Sequence, residues 1–213
     1  MIFMKPSFEI LKYSLNDLNS IETAGRVCYR SQPTDVIARD VFIRNRIKAG
    51  HESIIEHSSL TVEFICDRGI SHELVRHRLC AFSQESTRYC AYKENVAFII
   101  PPWVNVRDGE HKSVTSANPT NHISWLWAHA MAEAEDFYLQ LLKVSLPQEA
   151  RSVLPTSTKT DIIVTTNFRE WRHILNLRTS KAAHPQMREL MIPLHRKLVE
   201  LFPVIFEDIT YET

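Results

Sequence analysis

Ser59-Leu60-Thr61-Val62-Glu63-Phe64-Ile65-Cys66-Asp67 alternates along the chain, with Leu60, Val62, Phe64 and Cys66 on one side and Thr61 and Glu63 on the other. A period of two is that of a half-buried strand. Shortly after it, Ser71-His72-Glu73-Leu74-Val75-Arg76-His77-Arg78 reads as a helix, with Ser71 as N-cap and Leu74 and Val75 as apolar anchors. On that helix Glu73, Arg76, His77 and Cys80 would share one face, and Arg78 would stand about 200° around from Arg76. The two arginines are therefore expected to serve two ligands, two parts of one large ligand, or a ligand and a partner chain. The stretch closes on Ser83, Gln84, Ser86, Thr87 and Arg88. Guanidinium forks clamp phosphate or carboxylate, and short hydroxyl and amide groups read ring edges. The set suits an anionic ligand with a polar, planar part; a solvated basic helix face is the other reading of the same residues.

Outward from this stretch, strand and helix signals mix. Phe8–Tyr13, Glu94–Ile100 (ended by Pro101-Pro102) and β-branched Asp161–Phe168 read as strands. Helices are expected over 16–30, over Asp35–Lys48 with Gly50 as the stop, and from Asn118-Pro119 to about Val144. Ile123, Leu126, Trp127, Ala130, Ala134, Phe137, Tyr138 and Leu141 would form the apolar stripe of the last of these. A short helix over Pro147–Arg151, one over Glu170–Arg178, and one from about Pro185 to Leu201, kinked or broken by Pro193, complete the set. In Glu170–Arg178 the apolar face is Trp171, Ile174 and Leu175, and Arg178 falls on that same face. A charge in line with a core stripe is out of place unless it is paired or faces a ligand. The expected fold is α+β: a small, mainly antiparallel sheet from segments near 59–67, 94–100 and 160–168, flanked by helices, in one domain over 1–213. No internal repeat is visible.

The 213 residues, with 44% apolar and 23% charged, describe an ordinary globular chain. Formal net charge is zero, which speaks against a general polyanion binder. The four cysteines, Cys28, Cys66, Cys80 and Cys90, have no Cys-x-x-Cys spacing and read as free thiols. No signal peptide and no run of about 18 apolar residues is seen, so a cytoplasmic protein is expected. There is no Gly-x-Gly-x-x-Gly, and only four glycines in all, which excludes a Rossmann dinucleotide fold. His51-Glu52-Ser53-Ile54-Ile55-Glu56-His57 packs four possible ligands together, but the spacing is wrong for a zinc-protease helix, and no metal is expected.

Arg76-His77-Arg78, seven residues, then Ser86 resembles the signature of the flavin-dependent thymidylate synthases. His51–His57 resembles that family's His-Glu-x-x-x-Glu-His segment. Ala150-Arg151-Ser152-Val153-Leu154-Pro155 resembles its Ala-Arg-x-x-Leu-Pro segment, and Thr166–Trp171 and Asn176-Leu177-Arg178 match two more. The five segments keep their order across roughly residues 20–190. There are departures: Gln84 stands where some members have Glu and His173 where some have Asn. The chain after Arg178 is longer, so the pairing of His184 with the family's next histidine stays open.

The resemblance implies reductive methylation of dUMP to dTMP, with methylenetetrahydrofolate as carbon donor and NADPH as electron donor through FAD. It implies FAD contacts at Ser53, Arg76, His77, Arg78, Gln84, Asn167, Arg169 and His173, with His51 also in the flavin and folate region. It implies dUMP contacts at Glu73, Arg76, Gln84, Glu85, Ser86, Thr87, Arg88, Arg151 and Arg178. Arg178 is its catalytic cation, stabilising a uracil deprotonated at a ring nitrogen. The family forms homotetramers with shared active sites; neither nucleic acid nor membrane is expected as a partner. Arg76, His77, Arg78 and Arg88 with Phe82 and Tyr89 would also suit a single-stranded nucleic-acid module, which neutral net charge and the other matched segments oppose. Ser86 lacks a Gly-x-Ser-x-Gly elbow, so it is read as a hydrogen-bonding group and not a nucleophile. His77, between two arginines, is expected to be neutral.

Overall fold

The computed structural model describes residues 1–13, 16–32 and 35–212. In chain order it holds β1 (Ile2–Met4), β2 (Ser7–Lys12), α1 (Asp17–Val27), α2 (Val36–Lys48), β3 (Ser59–Asp67), α3 (Arg68–Leu74), β4 (Ala81–Gln84), β5 (Ala97–Ile99) and β6 (Gly109–Glu110). These are followed by α4 (His122–Leu142), α5 (Pro147–Ala150), β7 (Lys159–Asn167), α6 (Phe168–Arg178), α7 (Pro185–Leu201) and α8 (Pro203–Phe206). Short 3₁₀ turns occupy Glu52–His57, Thr115–Ala117 and Arg151–Val153. The α+β class holds. The expected strand segments divide over two sheets instead of one, however: β5-β1-β6 and β2-β3-β7-β4.

Hydrogen bonds fix the direction of the central pair. The N–H of Phe168 donates to Ser58 O, the hydroxyls of Thr61 and Thr165 meet at 2.9 Å, and the N–H of Arg68 donates to Thr158 O. Rising numbers on one strand meet falling numbers on the other, so β3 and β7 are antiparallel. In the smaller sheet β1 runs parallel to β5 and antiparallel to β6.

Both central strands end in the same way. Asp67 closes β3 in an extended conformation and its carboxylate accepts the N–H of Ile70 at 2.7 Å, opening α3. Asn167 closes β7 with the same geometry and its side chain accepts the N–H of Glu170 at 2.9 Å, opening α6. Each cap satisfies one of the four orphan donors at a helix start, worth about 1 kcal/mol. This corrects two sequence readings. The helix after β3 begins at Arg68 with Asp67 as cap, not at Ser71, and it has ended by Leu74. Arg76, His77 and Arg78 therefore lie in the turn beyond it, and the argument from opposed helix faces does not apply to them. The strand-to-helix corner also recurs, at positions 67 and 167, although no repeat is visible in the residues. The repeat lies in backbone conformation and cap chemistry, which Asp and Asn share.

The chain clusters into two compact units, both discontinuous: 1–7, 64–76 and 83–162 in one, 8–63, 77–82 and 163–213 in the other. The first is built on a core of Phe3, Val96, Phe98, Ile100, Ala128, Met131 and Tyr138. Fully buried Phe98 truncated to alanine should cost about 3–5 kcal/mol. The face that α4 buries is Ser124, Ala128, Met131 and Tyr138, whereas Ile123, Leu126 and Phe137 of the expected stripe are exposed. This 21-residue helix carries apolar residues on every side, so periodicity did not single out the inward face. It begins at the Asn121 cap, not at Asn118.

In the second unit, fully buried Trp171 donates its indole N–H to Leu60 O at 3.1 Å. Gly25 lets α1 meet α2: a Cβ there would stand 2.7 Å from the Phe42 ring. Gly50 closes α2 at φ +76°, as expected of a C′ glycine. No helix among the described residues is long and apolar enough to cross a membrane.

Candidate active site

Two polar cavities are lined by five of the singled-out residues: Asn167, Arg169 and His173 in one, Thr87 and Arg151 in the other. In the second unit a cavity of about 800 Å³ is lined by Asn167, Arg169, Glu170, Arg172, His173 and Asn176 of the β7–α6 corner, with Glu52, Glu56 and Leu79. The N-cap at Asn167 aims successive turns of α6 at this space. Its cations are already engaged. Arg169 pairs with Glu56 at 2.5 Å and approaches Glu52 at 3.7 Å. Arg172, buried, forks onto Asp208 at 2.6 and 2.8 Å, reaches Glu52 at 3.4 Å, and donates to Ile205 O. Arg172 as an ionic hub was not foreseen, since Asp208 lies far along the chain. The signal was present in a cation between Trp171 and Ile174 on a short amphipathic helix.

His77 is the buried centre of a cluster of polar side chains in this unit, 5% exposed. Arg178 Nε donates to His77 Nε2 at 3.0 Å. On the other side His77 Nδ1 stands 3.6 Å from Glu170 Oε1, and the His173 ring meets it edge-on with centroids 5.9 Å apart. Burial first, then the charges of Arg178 and His173, push the His77 imidazole down to about 4, so it is neutral near pH 7. Neutrality was anticipated, but its cause is burial and Arg178, not the flanking Arg76 and Arg78. Arg178 on the apolar face of α6 is thus a paired cation, one of the two outcomes its position allowed. His77, Glu170 and His173 bring ligand-type atoms within 4.8 Å of one another, a grouping that sequence spacing did not suggest.

In the first unit a cavity of about 440 Å³ is lined by Arg68, His72, Thr87, Gln148, Arg151, Ser152 and Leu154. Arg151 donates to Thr87 Oγ1 at 3.3 Å. Arg68 donates through Nη2 to Glu85 O at 3.2 Å, while its buried Nε has no hydrogen-bond partner among the described residues. Arg68 and His72 were not singled out from sequence.

Of the remaining candidates, Gln84 ends β4 and donates to Ser71 Oγ at 2.9 Å and Thr160 Oγ1 at 3.1 Å. The Glu85 carboxylate accepts from Lys159 at 3.4 Å, and Lys159 also pairs with Asp161. Ser86 Oγ accepts the N–H of Arg88 at 3.3 Å, and the Arg88 guanidinium lies 5.4 Å from the Tyr89 ring centroid. Among the described residues no histidine or carboxylate is hydrogen-bonded to Ser86 Oγ, so no base activates it. Glu73 is half-buried in α3, and Arg76, Arg78, His51 and Ser53 are exposed. Burial pushes the Cys80 thiol up to about 11 and the Cys66 thiol higher still, so neither is a ready thiolate nucleophile.

Fold and cavities define a class: an α+β protein without a dinucleotide-binding sheet, whose polar cavities are walled by guanidinium, imidazole and amide side chains on strand-to-helix corners. Residues 9–204 match the family described as thymidylate synthase complementing protein. Flavin-dependent thymidylate synthases of Mycobacteroides abscessus and Mycobacterium tuberculosis are 35% and 34% identical over 201 and 199 residues, each covering 91% of this chain and 80% of the relative. A crystal structure of the UMP/dUMP methylase PolB from Streptomyces cacaoi, bound with 5-Br dUMP, superposes with a TM-score of 0.77 at 26% identity. The match covers 97% of this chain and 96% of that one. The chain belongs to the flavin-dependent thymidylate synthase family, and it is an enzyme of the methyltransferase type.

Proposed function

We propose that this enzyme converts dUMP to dTMP reductively, with methylenetetrahydrofolate as carbon donor and NADPH as electron donor, and that it holds FAD. The observation that carries the reading is the Arg178 guanidinium fixed by a neutral, buried His77 at 3.0 Å. A pre-aimed cation that needs no reorganisation suits charge that develops on a uracil ring, and losing such a contact costs on the order of 3 kcal/mol.

The lining of the α6 cavity fits a flavin ring. Asn167, Asn176 and His173 offer amide and imidazole edges, and Leu79 supplies an apolar surface. Exposed Arg78 offers an unburied guanidinium to a diphosphate. Arg78, Asn167 and His173 would hold the cofactor, and the family pattern adds Ser53, Arg76, His77, Gln84 and Arg169. When bound, FAD supplies hydride equivalents drawn from NADPH. Arg151, steadied on Thr87, and Arg88 neutralise the nucleotide phosphate. Ser86 hydrogen-bonds the nucleotide, and no covalent bond from Ser86 or a cysteine to the uracil is required. Arg178 holds the ring in its anionic form. The family pattern further suggests a homotetramer with shared sites.

The test is an assay of purified protein with dUMP, methylenetetrahydrofolate and NADPH, with and without added FAD, and with UMP as comparator. Thymidylate formed only with flavin present is the expected result. Flavin-loaded protein that makes none would overturn the reading.

A further inference from the structure

We infer that Glu170 is a positioning residue, which sets the tautomer of His77 and through it the orientation of the Arg178 guanidinium. The inference rests on the catalytic role proposed above for Arg178.

One proton decides the geometry. Arg178 Nε is a donor only, so His77 Nε2, 3.0 Å away, must accept and carries no hydrogen. A neutral imidazole has a single N–H, which is then on Nδ1. Nδ1 faces Glu170 Oε1 at 3.6 Å. That is too long for a direct hydrogen bond, but both groups are buried, Glu170 being 8% exposed, and a carboxylate charge at that range favours an N–H pointing at it. Without Glu170 the Arg178 Nε–H is left to oppose the common alternative, Nε2–H, by itself. In that tautomer two donors would confront each other, and the Arg178 contact would be lost. Asn167 holds Glu170 in place by capping its backbone N–H at 2.9 Å, so the strand-to-helix corner and the guanidinium belong to one chain of contacts. The other titratable groups at hand are His173 on α6, which meets the His77 ring, and Cys80 on the neighbouring turn, whose thiol is un-ionised.

The same trio could instead be read as a metal site, since His77, Glu170 and His173 converge within 4.8 Å. A dication there would need the Nδ1 lone pair and would sit beside the Arg178 charge across one ring. Both requirements oppose it.

Tautomers are read directly by long-range proton–nitrogen NMR of ¹⁵N-histidine-labelled protein, with the His77 signal identified by its loss in His77→Gln. Wild-type protein should show Nδ1–H. Glu170→Ala should show Nε2–H and lose about tenfold to hundredfold in kcat, the range for an orienting partner behind a contacting group, with the nucleotide KM within about twofold. Glu170→Gln keeps an acceptor oxygen and should retain Nδ1–H with a smaller loss of kcat. Nε2–H in the wild type overturns the inference whether or not the alanine variant folds. Unchanged Nδ1–H in Glu170→Ala overturns it too, as do zinc-dependent shifts of His77 and His173 at equimolar zinc. The tautomer measurement needs no turnover, so protein that makes no thymidylate would sink the proposed function and leave this test intact.

Discussion

The cavity at Arg68, His72 and Arg151 sets two guanidinium groups and an imidazole against no lining carboxylate, whereas the cavity along α6 sets Arg169 and Arg172 against Glu52, Glu56 and Glu170. A phosphate needs positive charge, and the first cavity offers it from a lining that holds no acid, with a buried Arg68 Nε that has no hydrogen-bond partner among the described residues. In the second, the cations are committed to acids, and what remains on offer is the amide edges of Asn167 and Asn176 and the ring of His173. The number of arginines in a segment therefore says little about anion binding until their counter-ions are known. By sequence Arg169 and Arg151 looked alike as ligand cations; one is clamped by a glutamate at 2.5 Å and the other donates to a hydroxyl.

The comparison can be broken from either side. The largest effect is expected for Arg178→Ala: turnover should fall by about a hundredfold or more while the visible flavin absorbance of the purified protein is kept. More than half of wild-type turnover would remove Arg178 from the chemistry.

His77, buried behind Glu170 and His173 of the second cavity, gives a sharper test of that side, by pH. Its folded-state value is lowered from 6.5 to about 4, so between those values the unfolded chain takes up a proton that the folded chain refuses. Stability should therefore decline as pH falls from about 6.5 toward 4, by up to the order of 3 kcal/mol, and should not change from this source above 6.5. Urea titrations at several pH values should show this slope in the wild type and a reduced one in His77→Gln. Equal slopes would mean that the ring is not held neutral by burial.

Arg151→Ala tests the first cavity. Removing a charge-assisted phosphate contact costs about 1.5–3 kcal/mol, so the nucleotide KM should rise roughly tenfold to hundredfold with flavin content unchanged. Flavin loss in this variant would blur the division between the cavities. The smallest change is expected for Ser86→Ala, about fivefold in nucleotide affinity for one neutral hydrogen bond, with thymidylate still formed. A nucleotide covalently attached to Ser86, seen by mass spectrometry of enzyme denatured in mid-turnover with a fluorinated analogue, would contradict the unactivated serine.

Much of this was legible in the residues. The alternation in 59–67 and the β-branched run before Phe168 marked the central strands, because one face of each is buried. Arg178 stood out because a charge on an apolar stripe demands a partner. What escaped notice depends on contacts distant in sequence. Asp67 belongs to a strand by pattern and to a helix by its side chain, so the helix start was placed too late and Arg76–Arg78 were put on a helix. Strand β4, four residues long, carries too few positions to show a period. The exposed side of α4 carries Ile123, Trp125, Leu126 and Phe137, so large apolar residues do not mark its buried face. Arg172 and Glu170 acquire their roles from Asp208 and His77, which no local window contains.

The corner at 67 and the corner at 167 lie 100 positions apart, and the equivalence extends past the caps. Ser58 accepts from Phe168 as Thr158 accepts from Arg68, and a 3₁₀ turn precedes each strand. The chain thus uses one backbone device twice, and each copy of the helix start lines a cavity of its own. Symmetry of the main chain coexists with divergence of the side chains: where one copy has His72 the other has Arg172, and where one has Ile70 the other has Glu170. One frame used twice, with independently varied linings, lets either cavity change its ligand without disturbing the backbone of its own corner.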